Sequence, residues 1–172
     1  MTLRAITVLG RDRPGIIAEA TAALAELGLN LEDSTMTLLR GHFAMMLVCA
    51  GDVGSSEVES ALAFLSEDGS LDVSVREVPG EDEQRAVGSS YVLSVHGGDR
   101  PGIVSALTAQ VAVAGGNITD LSTRLARGLY ILSAEVDVPA ETDVDALRDA
   151  LGRTAGDLGV EVTLRPVESD DL

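Results

Sequence analysis

The chain has 172 residues and a formal net charge of −16; its basic residues are all Arg, and it has one cysteine. So acidic a chain lacks the cations that a nucleic-acid or anionic-membrane binder uses to displace counterions, and the missing Lys removes Schiff-base chemistry and the lysine-bearing phosphate loop. The lone Cys49 excludes an intramolecular disulfide and any paired-cysteine metal site, and with only 2% aromatics the cores must be built from Ala, Val, Leu and Ile.

Residues 3 to 9 read as a strand that runs into Gly10-Arg11-Asp12-Arg13-Pro14-Gly15-Ile16. From Gly15 to Leu27 the apolar positions Ile16, Ala20, Leu24 and Leu27 recur at helical spacing, and Gly28 is expected to stop that helix as a left-handed cap. Asn30 to Leu39 and Phe43 to Ala50 read as two strands joined at Arg40-Gly41-His42. Ser55 or Ser56 is the expected N-cap of a second helix with Val58, Leu62 and Leu65 on one face, and Leu71, Val73 and Val75 alternate as a fourth strand. Residues 80–89 carry turn formers and charge without periodicity and read as a linker between a first domain at 1–79 and a second at 90–168.

The second half repeats the plan. A strand at Tyr91 to Val95 leads into Gly97-Gly98-Asp99-Arg100-Pro101-Gly102-Ile103, and Ile103, Leu107, Val111 and Ala114 mark a helix stopped by Gly115. Asn117 to Leu125 and Leu129 to Val138 form a hairpin around Arg127-Gly128. Thr142 to Leu158 supplies the second helix, Val160 to Leu164 the last strand, and 169–172 an acidic tail. At a constant offset of 87, Gly28 matches Gly115, Asn30 matches Asn117, Asp33 matches Asp120 and Arg40-Gly41 matches Arg127-Gly128, so one unit is used twice. Each unit has the order β-α-β-β-α-β. The expected class is α+β, with two ferredoxin-like domains, each an antiparallel sheet carrying both helices on one face.

That plan leaves the other sheet face open, yet Phe43 to Ala50 is apolar on both parities. Sheet-to-sheet packing or a homodimer is expected to cover it. No run approaches about 18 apolar residues, and the start Met1-Thr-Leu-Arg-Ala has no charged region leading into a long apolar stretch. A cytoplasmic protein without membrane partners is expected.

The repeated heptapeptide sits where a strand hands over to a helix. Proline is tolerated in a first helical turn. The N–H groups of Gly15, Ile16 and Ile17, and of Gly102, Ile103 and Val104, are then left without intrahelical acceptors, an arrangement that suits an anion. Asp12 and Asp99 read more simply as caps or turn formers. No nucleophile, base and acid converge in the sequence: His42 and His96 occupy unmatched positions and read as structural, and Cys49 reads as a buried thiol. No catalytic residue, metal site or cofactor is therefore assigned. An RNA-recognition module would share the fold, but it stacks bases on sheet aromatics, and this chain has only Phe43, Phe64, Tyr91 and Tyr130.

The β-α-β-β-α-β unit with Asp-Arg-Pro-Gly-Ile at its first strand-to-helix junction, followed by Gly-x-Asn-[Leu/Ile]-x-Asp at the second strand, resembles the ACT domain. That family consists of small-molecule sensing modules, most often for amino acids. Two such domains in tandem resemble the glycine cleavage system transcriptional repressor group. The resemblance implies an effector at an interface between two domains, close to the first loop of one and the second strand of the other. It selects Asp12, Arg13, Pro14, Gly15, Ile16 and Asn30 in the first domain, and Asp99, Arg100, Pro101, Gly102, Ile103 and Asn117 in the second. The free amides suit a carboxylate and the Asn oxygens an ammonium; Arg13 and Arg100 offer a bidentate fork, although such loop arginines more often pair with a neighbouring Asp or face solvent. Asp33 and Asp120 either hold the loop Arg or meet the ammonium. Arg11 becomes Gly98 and Leu29 becomes Gly116 in the second copy, so the two sites differ. The implied function is a non-enzymatic regulator that binds an amino acid, forms a homodimer and acts on a partner protein without touching nucleic acid itself. A regulatory subunit of an amino-acid or one-carbon enzyme is the alternative.

Overall fold

Alternation in the first strand sends Arg4, Ile6 and Val8 to one face and Thr7 and Leu9 to the other, and burial follows that parity. The computed structural model describes residues 2–80 and 88–167 and divides the chain into two compact units, Met1–Glu83 and Gln84–Leu172. The tail placed at 169–172 lies outside the described residues, as does most of the linker.

In the first unit β1 (Thr2–Arg11) leads to α1 (Ile16–Glu26), then β2 (Asn30–Leu39), β3 (His42–Gly51), α2 (Ser55–Leu62) with a 3-10 turn at Ala63–Ser66, and β4 (Leu71–Val78). The sheet order is β2-β3-β1-β4, antiparallel throughout, which is the ferredoxin-like arrangement. The core forms where Ile6, Val8, Met45, Leu47 and Cys49 meet Ile16, Ala20 and Leu24 of α1 and Val58 and Leu62 of α2, so both helices cover the same sheet face.

The second unit repeats this with β5 (Gly88–Gly98), α3 (Ile103–Val113), β6 (Asn117–Ala126), β7 (Leu129–Pro139), α4 (Val144–Leu158) and β8 (Val160–Pro166), in the order β6-β7-β5-β8. Its core joins Leu93, Val95, Leu132, Ala134 and Val136 to Ile103, Leu107, Val111, Leu147 and Leu151. Gly88 and Ser89, assigned to the linker by composition, are strand residues because the long β7 offers Pro139 and Val138 opposite them.

Several local expectations shift by a residue. The α2 N-cap is Gly54, and Ser55 is the first helical residue; glycine at an N-cap is only slightly poorer than serine. The hairpins turn on two residues each, Arg40-Gly41 and Arg127-Gly128, all with positive φ, as a type I′ turn requires. Each of β2 and β6 carries a bulge at the matching place, between Leu31 and Asp33 and between Ile118 and Asp120. The extra residue brings Asn30 and Asp33 opposite Ala50 and Val48, both on the face without helices, and Asn117 and Asp120 opposite Asp137 and Glu135. An unbulged strand would send the two polar residues of each pair to opposite faces.

The open faces of the two units differ in chemistry. In the first, Leu3, Ala5, Leu9, Ala44, Met46 and Val48 make it apolar; the matching positions of the second are Ser90, Val92, His96, Ile131, Ser133 and Glu135. Phe43, Met45 and Leu47 are buried while Met46 between them is 44% exposed, so the unbroken apolar run of β3 faces the core with one parity and the side without helices with the other.

Candidate functional site

Pro14 does not enter α1. It precedes Gly15, which at φ 96 and ψ −14 is the N-cap and has the angles of the third residue of a type II turn, with Pro in the favoured second position. Gly102 repeats this at φ 93 and ψ −3. The first intrahelical bonds are Glu19 N–H to the Gly15 carbonyl at 2.9 Å and Ala106 N–H to that of Gly102 at 2.9 Å. The amides free of helical partners are therefore those of Ile16, Ile17 and Ala18, and of Ile103, Val104 and Ser105, one residue further along than the motif suggested. No side chain caps either helix, so Asp12 and Asp99 leave those amides unclaimed.

In the first unit the loop is anchored by Arg11 N–H donating to Ser70 at 2.9 Å and Asp12 N–H to Gly41 at 3.2 Å. A groove of about 290 Å³ opens beside it, walled by Gly15 to Ala18 and by Met36 and Phe43. Arg13, however, is engaged by Glu19 of its own helix through a two-bond fork of 3.1 and 2.7 Å. That hydrogen bonding raises the Arg13 guanidinium and lowers the Glu19 carboxyl relative to their ordinary values. Asp68 lies in the same neighbourhood; the hydrogen bonds from Ser70, and then the charge of Arg13, lower its carboxyl. Arg100 in the second unit has no carboxylate at ion-pair distance among the described residues. Its guanidinium lies 3.4 Å from where a Cβ on Gly159 would stand.

Asn30 and Asn117 lie at the other end of each sheet. Asn30 is level with Ala50 and Leu3, whereas the loop follows Arg11. Eight strand residues separate the two levels, roughly 26 Å at the usual rise. Within one unit the structure does not bring the loop residues and the Asn together. Among the described residues both β2 and β6 are edge strands, so each Asn stands at a sheet edge, where backbone groups can pair with another strand.

At the Asn117 end a groove of about 220 Å³ is lined by Asn117, Asp137, Ser90, Gly88 and Gly115, among others. Ser90 Oγ donates to Asp137 Oδ1 at 2.6 Å. Neither Ser90 nor Asp137 was selected from the sequence. Counting back from the two-residue turn at Arg127-Gly128 sets Asn117 opposite Val138, and only the bulge moves it to Asp137. Of the two histidines, His42 is an exposed strand residue, and His96 contacts Glu161 at 3.0 Å. Cys49 is fully buried, and burial, with a further contribution from Glu32, pushes its thiol up. Among the described residues, no helix is long and apolar enough to cross a membrane.

A family model described as ACT domain matches residues 5–76 and again 90–165. A UPF0237 protein of Methanopyrus kandleri is 38% identical over 90 residues, 51% of this chain and 97% of that protein. The chain spans about half the length of the curated streptococcal relatives it matches. Among solved structures, an unknown protein from Galdieria sulphuraria superposes with a TM-score of 0.82 at 29% identity, covering 97% of this chain and 99% of that one. A candidate glycine cleavage system transcriptional repressor superposes with a TM-score of 0.72 over 98% of both chains; at 20% identity that likeness is one of fold.

Proposed function

Because the chain belongs to the ACT domain family, in two consecutive copies, we propose that it is a non-catalytic regulator that binds an amino acid between units. The strand-to-helix loop of one unit supplies one wall and the Asn-bearing edge strand of another supplies the second. The loop residues are Asp12, Arg13, Pro14, Gly15 and Ile16, or Asp99, Arg100, Pro101, Gly102 and Ile103; the edge residues are Asn30 or Asn117. One observation carries this reading: loop and Asn lie at opposite ends of a strand that is a sheet edge among the described residues. Two such edges meeting antiparallel set the loop of one unit beside the Asn of the other, where free amides meet a carboxylate and the Asn oxygen an ammonium. Asp12 and Asp99 shape the loop and do not cap the helix.

Occupancy then changes how tightly two edges hold together, and so biases the surfaces presented to a partner protein. The chain acts as a homodimer in the cytoplasm. Thermal-shift measurements with the proteinogenic amino acids, each in turn, test the reading. A stabilisation by one or a few, lost when Asn30→Ala and Asn117→Ala are combined, is expected; a flat response to all of them at millimolar concentration refutes it.

A further inference from the structure

The side of the first sheet without helices carries an ordered pattern of size and charge. One of its inner rows crosses the four strands as Asp33, Val48, Ala5 and Arg76, so an acid and a base stand on the two outer strands at one level. Three strand spacings, about 14 Å, keep them from meeting within one copy, and neither has an ion-pair partner among the described residues. On the two central strands each large apolar side chain has a smaller one beside it: Leu9 beside Ala44, Leu3 beside Ala50 and Met46 beside Thr7. A depression of about 410 Å³ is lined by Thr7, Leu9, Ala44 and Met46, among others.

A second copy of the same face is complementary in both respects. A two-fold axis along the strands lays β2 on the partner's β4 and β3 on the partner's β1, level by level. Asp33 then meets the partner's Arg76 at two symmetric places, on an inner row where sheet twist splays the two faces least. Leu9, Leu3 and Met46 stand over the partner's Ala44, Ala50 and Thr7, large on small throughout. An axis across the strands instead sets Asp33 against Thr35, Arg76 against Ser74 and Leu3 against Leu9, which leaves both charges unmatched and puts large on large. The corresponding face of the second unit is a poorer cover, because it carries Glu135 and Asp137 on its central strand β7, where an apolar face would desolvate them. From Leu3 to Leu9 across four strands, the first face measures roughly 19 by 23 Å at the usual strand spacing and rise. Two copies cover roughly 900 Å² between them before side-chain relief, near the roughly 1,000 Å² of a specific interface. We propose that two copies of the chain associate face to face through the open side of the first unit, with the Asp33–Arg76 pairs fixing the alignment and the apolar centre supplying the attraction. This contact goes beyond the amino-acid reading and requires neither a ligand nor an edge strand.

Sedimentation equilibrium on the full chain, from micromolar to millimolar concentration, reads the assembled mass. Association of the wild type is expected; a single-chain mass throughout overturns the proposal. Asp33→Arg and Arg76→Asp should each halve the mass, because each alone sets like charges together at both contacts. Mixing the two in equal amounts should restore it, since every contact then joins opposite charges. Met46→Glu should also halve the mass, whereas Arg165→Asp, on the matching face of the second unit, leaves it unchanged. Circular dichroism of each variant, with a native spectrum, assigns a lost association to lost contacts and not to misfolding. A mass retained in both charge reversals, or no recovery on mixing, overturns the face-to-face contact and leaves the amino-acid reading standing. A flat thermal response to every amino acid, with the masses as expected, removes the amino-acid reading alone.

Discussion

The loop geometry is testable at Gly102 by adding a single methyl group. Gly102 holds φ 93, and a Cβ built there comes no nearer to a neighbour than 3.9 Å, at Ser105 Oγ. Gly102→Ala therefore meets open space, and its cost is backbone strain alone. An L-residue in left-handed backbone costs about 1–2 kcal/mol. The restriction of the unfolded chain returns less than that at an incompatible angle. For a unit of this size, 1 kcal/mol corresponds to about 4–8 °C in midpoint, so a fall of about 4–16 °C is expected in the transition of the second unit. Gly156→Ala is the internal control: that glycine lies inside α4 with nothing within 4 Å of its added methyl, and the same substitution there should stabilise by about 0.5–1 kcal/mol. Differential scanning calorimetry on both variants decides. An unchanged or raised midpoint in Gly102→Ala would refute the left-handed N-cap, and with it the orientation that leaves the Ile103 to Ser105 amides outward.

The Arg13–Glu19 fork predicts a pH signature. Glu19 is depressed in the folded protein, so its contribution is fully present above its unfolded value and is lost as pH falls through the lower folded value. A carboxyl titration by NMR should place Glu19 below 4.5, the ordinary value, and Arg13→Gln should move it back upward; a midpoint indifferent to Arg13 would mean the fork does not persist in solution. Cys49, buried and with its thiol pushed up, should resist a thiol reagent in native protein and react fully on denaturation. Rapid native labelling would show that the β3 core is open.

Much of this architecture is written in local patterns. The spacing of Ile16, Ala20 and Leu24 forces one helical face into a core, and the alternation of Ile6 and Val8 forces one sheet face to meet it. Gly28 and Gly115, with φ 71 and 74, end their helices as glycine alone does cheaply. N-caps are less legible, because glycine, hydroxyl and carboxylate residues near a helix start compete with a neighbour one residue away. Thus Gly54 and not Ser55 precedes α2, and Asp143 caps α4 by accepting from the Ala146 amide at 3.0 Å.

The chain's own residue order determined that one β-α-β-β-α-β unit occurs twice, that Pro-Gly marks each strand-to-helix junction, and that Asn30 and Asn117 recur with it. These follow from short-range sterics and periodicity, which need no knowledge of distant neighbours. The tertiary structure alone decided which residues face one another. The bulges at Glu32 and Thr119 add one residue to an edge strand and so change every opposition beyond them, setting Asn117 against Asp137. Arg13 meets Glu19 across the left-handed Gly15, whereas the position matching Glu19 in the second unit is Ala106, and Arg100 has no carboxylate at ion-pair distance among the described residues. Register and loop closure are properties of two segments at once, so no single stretch of sequence displays them.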